Sequence, residues 1–128
     1  MCRLLSFLLA LAISVSVWAA SRDDLFASAQ EAYDKGLYQA AADLFDRYIW
    51  EYPLDERTPR ARVLKVKSYL HDDRFRAARI TAEALSDEAL RLYLLGLVEF
   101  NQQHYTEAFN YFDRFTSSYP DNPYRYEV

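Results

Sequence analysis

Apolar positions in this chain recur with helical spacing in six stretches separated by short polar breaks. Tyr38, Ala41, Phe45 and Tyr48 fall three or four residues apart, as do Val63, Val66, Tyr69 and Leu70, so one side of each segment is apolar at the period of an α-helix. The spacing predicts helices over Leu25–Asp34, Tyr38–Glu51, Pro59–Leu70, Arg74–Leu85, Asp87–Asn101 and Tyr105–Ser118. The breaks inside successive pairs are Lys35-Gly36-Leu37, His71-Asp72-Asp73 and Gln102-Gln103-His104. Pro53 and Pro120 follow helices they could not continue, whereas Pro59 and Pro123 suit a first turn, where a missing N–H is no loss. The expected fold class is all-α.

The helices are copies of one another. Tyr38, Ala41, Phe45, Tyr48, Tyr52 and Pro53 return as Tyr105, Ala108, Phe112, Phe115, Tyr119 and Pro120, each pair 67 residues apart. Asp46-Arg47 matches Asp113-Arg114, Tyr33 matches Phe100, and Ala29 matches Gly96. A separation of 67 is about twice a helix-pair period of roughly 34 residues, and a weaker middle copy lies between, with Phe75, Ala78, Ala82 and Leu85 in the same spacing. It lacks the Tyr-Pro ending and is expected to be the shortest. The small residues Ala29, Gly96, Ala41, Ala78 and Ala108 are expected where paired helices cross closely, with Tyr38, Phe45, Phe75, Tyr105 and Phe112 filling adjacent holes.

Composition narrows the class further. Of 128 residues, 52% are apolar and only two are Gly, which excludes a disordered tail and argues against a turn-rich β-sandwich. The first twenty residues differ from the rest: Arg3, an apolar run Leu4–Val17, then Trp18-Ala19-Ala20 and charged Ser21-Arg22-Asp23-Asp24. This layout predicts a signal peptide over residues 1–19 cleaved after Ala19, export, and the bacterial periplasm as destination. An uncleaved anchor is the alternative, although the run is short for a bilayer span. Cys2 precedes the apolar run, so it cannot be an acylated first residue, and the mature domain, residues 20–128, has no cysteine. Packing alone must stabilise it.

Charge is distributed in blocks. Residues 20–56 carry a net −6, residues 57–79 a net +6 and residues 80–128 a net −5. An acidic chain with one basic band does not fit a nucleic-acid binder. The band is read either as solvated helix faces or as a strip that attracts an acidic segment or an anionic headgroup, the latter implying proximity to a membrane surface at most.

Catalytic chemistry is not legible. The two histidines, His71 and His104, fall in turns, and His71-Asp72-Asp73 lacks further ligands at a metal-binding spacing. No phosphate loop, nucleophile elbow or metalloprotease motif is present. Acidic pairs such as Asp55-Glu56 precede helices, where they favour the positive end of the dipole. No cofactor, no metal and no enzymatic activity are expected.

These residues resemble the tetratricopeptide-repeat family, in units of about 22–55, 57–86 and 87–120. Tyr-x-x-Gly-x-Tyr at 33–38 and the Tyr-Pro endings at 52–53 and 119–120 are similar to repeats of bacterial envelope proteins, of the outer-membrane assembly lipoprotein and Tol-Pal cell-division coordinator type. The lipobox of the first and the coiled coil of the second are absent. The resemblance implies an α-solenoid of three antiparallel helix pairs in a right-handed superhelix, whose concave groove binds a segment of another protein. Its groove positions correspond to Asp23, Phe26, Gln30, Tyr33 and Asp34 in unit one, Arg60, Val63, Lys67, Leu70 and His71 in unit two, and Leu90, Tyr93, Leu97, Phe100 and Asn101 in unit three. Some of these rings would equally serve as inter-repeat core. A Lys and Asn clamp for a terminal carboxylate is not expected, since Phe26 and Gln30 occupy its first-unit positions.

Residues 121–128 read as the start of a truncated next helix opened by Asn122-Pro123. The uncapped end suggests either a longer protein or self-association. The working function is an envelope adaptor. The alternative is a structural subunit of an envelope assembly held through its terminal helix faces, at Tyr111, Tyr119 and Tyr124.

Overall fold

A computed structural model describes residues 21–128; the stretch read as a signal peptide lies outside the described residues. Helix α1 covers 21–34, followed by α2 (Tyr38–Glu51), α3 (Thr58–His71), α4 (Phe75–Glu83), α5 (Glu88–Asn101), α6 (Tyr105–Ser118) and a 3₁₀ turn, η1 (Pro123–Glu127). Among the described residues there is no strand, and no helix is long and apolar enough to cross a membrane. Neighbouring helices pack in succession as a solenoid of antiparallel pairs. Two expectations need correction. The fourth helix stops at Glu83 rather than Leu85, because the Leu85 carbonyl accepts the Arg91 guanidinium (2.8 Å) and Asp87 caps α5 through Leu90 N–H (3.1 Å). The expected seventh helix is a single 3₁₀ turn, capped by Asn122 Oδ1 on Tyr124 N–H (3.0 Å).

The three turns within helix pairs have one geometry. Gly36, Asp73 and Gln103 stand at equivalent places with φ of 74°, 55° and 63°. The next residue's N–H reaches back to a carbonyl in the last turn of the preceding helix: Leu37 to Ala32 (2.9 Å), Arg74 to Tyr69 (2.8 Å), His104 to Glu99 (2.9 Å). This is a Schellman ending, which satisfies carbonyls that would otherwise be orphaned and needs a left-handed residue. Only the first copy uses glycine. Replacing Gln103 with Gly is therefore expected to raise the unfolding free energy by about 0.5–1 kcal/mol, the relief of left-handed strain less the extra freedom of an unfolded glycine. A urea titration checks this; a lower midpoint would show that the Gln side chain stabilises the turn.

Two apolar clusters run along the stack. Ala29, Ala32, Ala41, Phe45, Tyr48, Ala61 and Leu64 form the first, with Phe26 edge-on to Phe45 and Tyr48 at 5.9 and 5.2 Å. The second joins Val63, Val66 and Leu70 to Ala78, Ala82, the inner side of α5 and Phe115. Helix α3 thus feeds both clusters from two faces, as a helix held between neighbours must. The expected close crossings are present: Ala29, Ala41, Ala78 and Ala108 are buried, and a methyl on Gly96 would clash with the edge of the Phe112 ring. Tyr105 is a correction. The residue is 60% exposed, and its ring lies edge-on to Phe100 instead of filling a hole between helices.

The charge blocks find one another. Arg57 pairs with Asp23 (2.6 Å) and Asp55 (3.2 Å), Lys65 with Asp46 (2.7 Å), Lys67 with Glu127 (2.8 Å), and Arg79 with Glu99. Much of the basic band is thus consumed between units instead of facing solvent as one strip. Burial alone would raise the Glu99 carboxyl, but hydrogen bonds from Arg79 and His104 more than offset it and hold it below its ordinary value.

Candidate functional site

The last turns of α1, α3 and α5 end side by side, since each carries the same Schellman turn at the same height in its unit. Between them lies a recess of about 220 Å³ lined by Tyr33, Lys67, Leu70, His71, Leu97 and Asn101. Its polar groups are partly organised already. His71 stacks on Tyr38 with ring centroids 4.5 Å apart, and its Nε2 lies 3.2 Å from the Tyr33 hydroxyl. Asn101 donates to the Leu97 carbonyl at 2.8 Å. Burial, and after it the neighbouring Tyr38, Asp34 and Glu127, raise the Tyr33 hydroxyl above its ordinary pKa. The lining contains one amine, an imidazole, an amide, a phenol and two leucines, with no carboxylate. With Lys67 paired to Glu127, such a wall offers apolar anchorage and hydrogen bonds to an extended chain, and a negative charge on that chain can take the place of the Glu127 carboxylate.

The repeating element beneath this recess is two antiparallel helices, a left-handed turn and a Tyr-Pro ending, with Tyr52 and Tyr119 at almost identical φ/ψ of −131°/60° and −130°/60°. Residues 92–122 match the tetratricopeptide-repeat family. The matched repeat spans most of α5, the Gln102–His104 turn, α6 and the Tyr119-Pro120 ending. No curated protein matches the chain at a significant level. The tetratricopeptide repeat is an interaction scaffold, typically without catalytic activity, whose general role is to bind other proteins or peptides.

The residues expected to line a tetratricopeptide groove separate into distinct places. Tyr33, Lys67, His71, Leu97 and Asn101 converge on the recess. Phe26 and Gln30 border another depression of about 460 Å³ near Arg57, where the Phe26 ring also packs against the first core and under the guanidinium, 5.2 Å away. Val63 is core. Tyr93 is fully buried, but its hydroxyl reaches Glu127 at 2.6 Å. Arg60 is exposed and near enough to the same carboxylate to favour its ionised form. Phe100 stands apart, 54% exposed against Tyr105.

Tyr124, expected on a terminal face, instead stacks on Tyr93 (4.9 Å, 17° between planes), and Glu127, which no sequence signal singles out, bonds both Lys67 and Tyr93. The Asn122-Pro123 signal marks where this segment turns, yet nothing local in it says where the turn docks. Asp55 was also read too simply: its side chain is only 7% exposed and is a hub, bonded by Tyr48 Oη, by Arg57 through N (3.0 Å) and Nε (3.2 Å), and by Arg22 (3.2 Å).

Proposed function

We propose that the chain is a binding module which holds a segment of another protein in the recess between the ends of α1, α3 and α5, and that it works as an exported adaptor in the bacterial envelope. The observation that carries the binding reading is the convergence of Tyr33, Lys67, His71, Leu97 and Asn101 from three successive units on one open recess without an acidic side chain. Export rests on the layout of residues 1–20, and the envelope role on the resemblance of the Tyr-Pro repeats to those of envelope proteins. A second reading, a subunit held by its last helix pair, is favoured by the exposed rings of Phe100, Tyr105 and Phe109.

Site-specific photocrosslinking in the native host separates these. With the crosslinker at Asn101, a defined protein adduct is expected whose chain component begins at Ala20; at the exposed Arg47 on α2, no adduct is expected. An adduct from Phe109 and none from Asn101 would favour the subunit reading. A chain component that retains residues 1–19 would overturn cleavage after Ala19.

A further inference from the structure

We propose that Tyr93 and Lys67, at the edge of the recess, form a seat that recognises a partner segment bearing an aromatic ring three residues ahead of a carboxylate, and that Pro123–Glu127 holds this seat in cis until such a segment displaces it. The inference rests on the binding reading above and names the chemistry of the partner.

The chain's own segment shows how the seat is filled. In a 3₁₀ turn, side chains three residues apart eclipse, so η1 presents Tyr124 and Glu127 on the same side and leaves Tyr126 88% exposed. The Tyr124 ring lies on Tyr93, while the Glu127 carboxylate accepts from Lys67 Nζ (2.8 Å) and Tyr93 Oη (2.6 Å). Lys67 Nζ also stands 5.8 Å over the Tyr93 ring, so one lysine and one tyrosine read both features. Burial opposes charge on Glu127, yet its hydrogen bonds to Lys67 and Tyr93 and the nearby Arg60 keep it ionised below its ordinary range. Lys67 is shared between this seat and the recess, where Tyr33, His71 and Asn101 continue the polar wall beyond it.

The cis occupant docks through a small contact: Tyr124 is half-buried against the second cluster, Glu127 adds its two hydrogen bonds, and Pro123, Arg125 and Tyr126 are exposed. A partner with the same two features and a chain continuing toward Asn101 would keep both contacts and add those of the open recess. Complementarity of charge selects such a partner, because Arg60 and Lys67 flank the seat and the recess has no acid to repel it.

The test is selection from a library of short random peptides on the full chain and on a Tyr124→Ala/Glu127→Gln variant, followed by fluorescence anisotropy. Enrichment of a ring followed three residues later by Asp or Glu is expected. The double variant should bind these peptides roughly tenfold more tightly, as follows if the cis segment occupies the seat about nine-tenths of the time. Adding Lys67→Glu should abolish binding with the helical circular dichroism unchanged. Peptides that lose binding on His71→Ala or Asn101→Ala but lack the pattern would overturn this inference and leave the binding reading standing. If no selected peptide responds to those substitutions, both fail. Equal affinity for the two chains would overturn cis occupancy. Concentration-dependent dimers abolished by the double substitution would identify a second copy as the occupant instead, and overturn the inference.

Discussion

Phe45→Ala is expected to cost about 3–5 kcal/mol of unfolding free energy, measured by urea titration. Phe45 is fully buried, and Ala29, Ala32, Ala41 and Ala61 share its cluster. Alanines have no side chain that can swing into the space a lost ring leaves, so relaxation toward it falls to Phe26, Tyr48 and Leu64, and most of the cavity cost is felt. The effect should also be local. The two clusters meet along α3, which gives Ala61 and Leu64 to one and Val63, Val66 and Leu70 to the other. In a stack where each unit touches only its neighbours, such damage opens the near end first. Hydrogen exchange should therefore show α1 and α2 losing protection while α5 keeps it. Equal loss across the chain would show one indivisible core.

Asp55→Ala is expected to cost about 3 kcal/mol, because the loss of a buried charged acceptor strands several donors at once. The carboxylate receives Tyr48 Oη, the Arg57 backbone N–H and guanidinium, and Arg22, and so ties α1, α2 and the start of α3 together. Removing it leaves the Tyr48 hydroxyl on a fully buried residue without its partner. Burial and that hydrogen bond push the Tyr48 pKa up to about 12.

The same hub sets a pH dependence. Burial would raise the Asp55 pKa, but the Tyr48 and Arg57 hydrogen bonds outweigh it and hold the folded value below the ordinary 3.8. A depressed folded pKa contributes stability above the unfolded value that is lost as pH falls through the folded one. The gap between the parent chain and Asp55→Ala should be full at neutral pH and narrow below about pH 3.8. A gap independent of pH would mean that the carboxylate's charge contributes nothing.

The helices were legible because their signals are local. A Tyr-Ala-Phe spacing sets a helical face, a Tyr-Pro ends it, and the same letters 67 residues on repeat the instruction; α2 and α6 occupy the residues that this pattern predicts. The turns were legible as turns, but the left-handed backbone at Asp73 and Gln103 was not, since only Gly36 advertises it. The faces of α3 were harder still. A helix packed on both sides has no polar half, so periodicity cannot say which neighbour each apolar residue meets.

The site was less legible than the scaffold. Lys67, His71, Asn101, Tyr33 and Leu97 could be named from their places in the repeat, but Val63 occupies a similar place and lies in the core. Helix rotation of a few tens of degrees separates a lining residue from a buried one, and it is set by the packing of rings against alanines.

From its residues alone, this protein's helix pairs, their number and their order followed, because each depends on neighbours close in the chain. Only the tertiary structure decided which basic residues are consumed between units, and that Tyr124 and Glu127 come back onto Tyr93 and Lys67. Those contacts join groups up to 60 residues apart in sequence, and no local pattern encodes a meeting that exists only after the units have stacked.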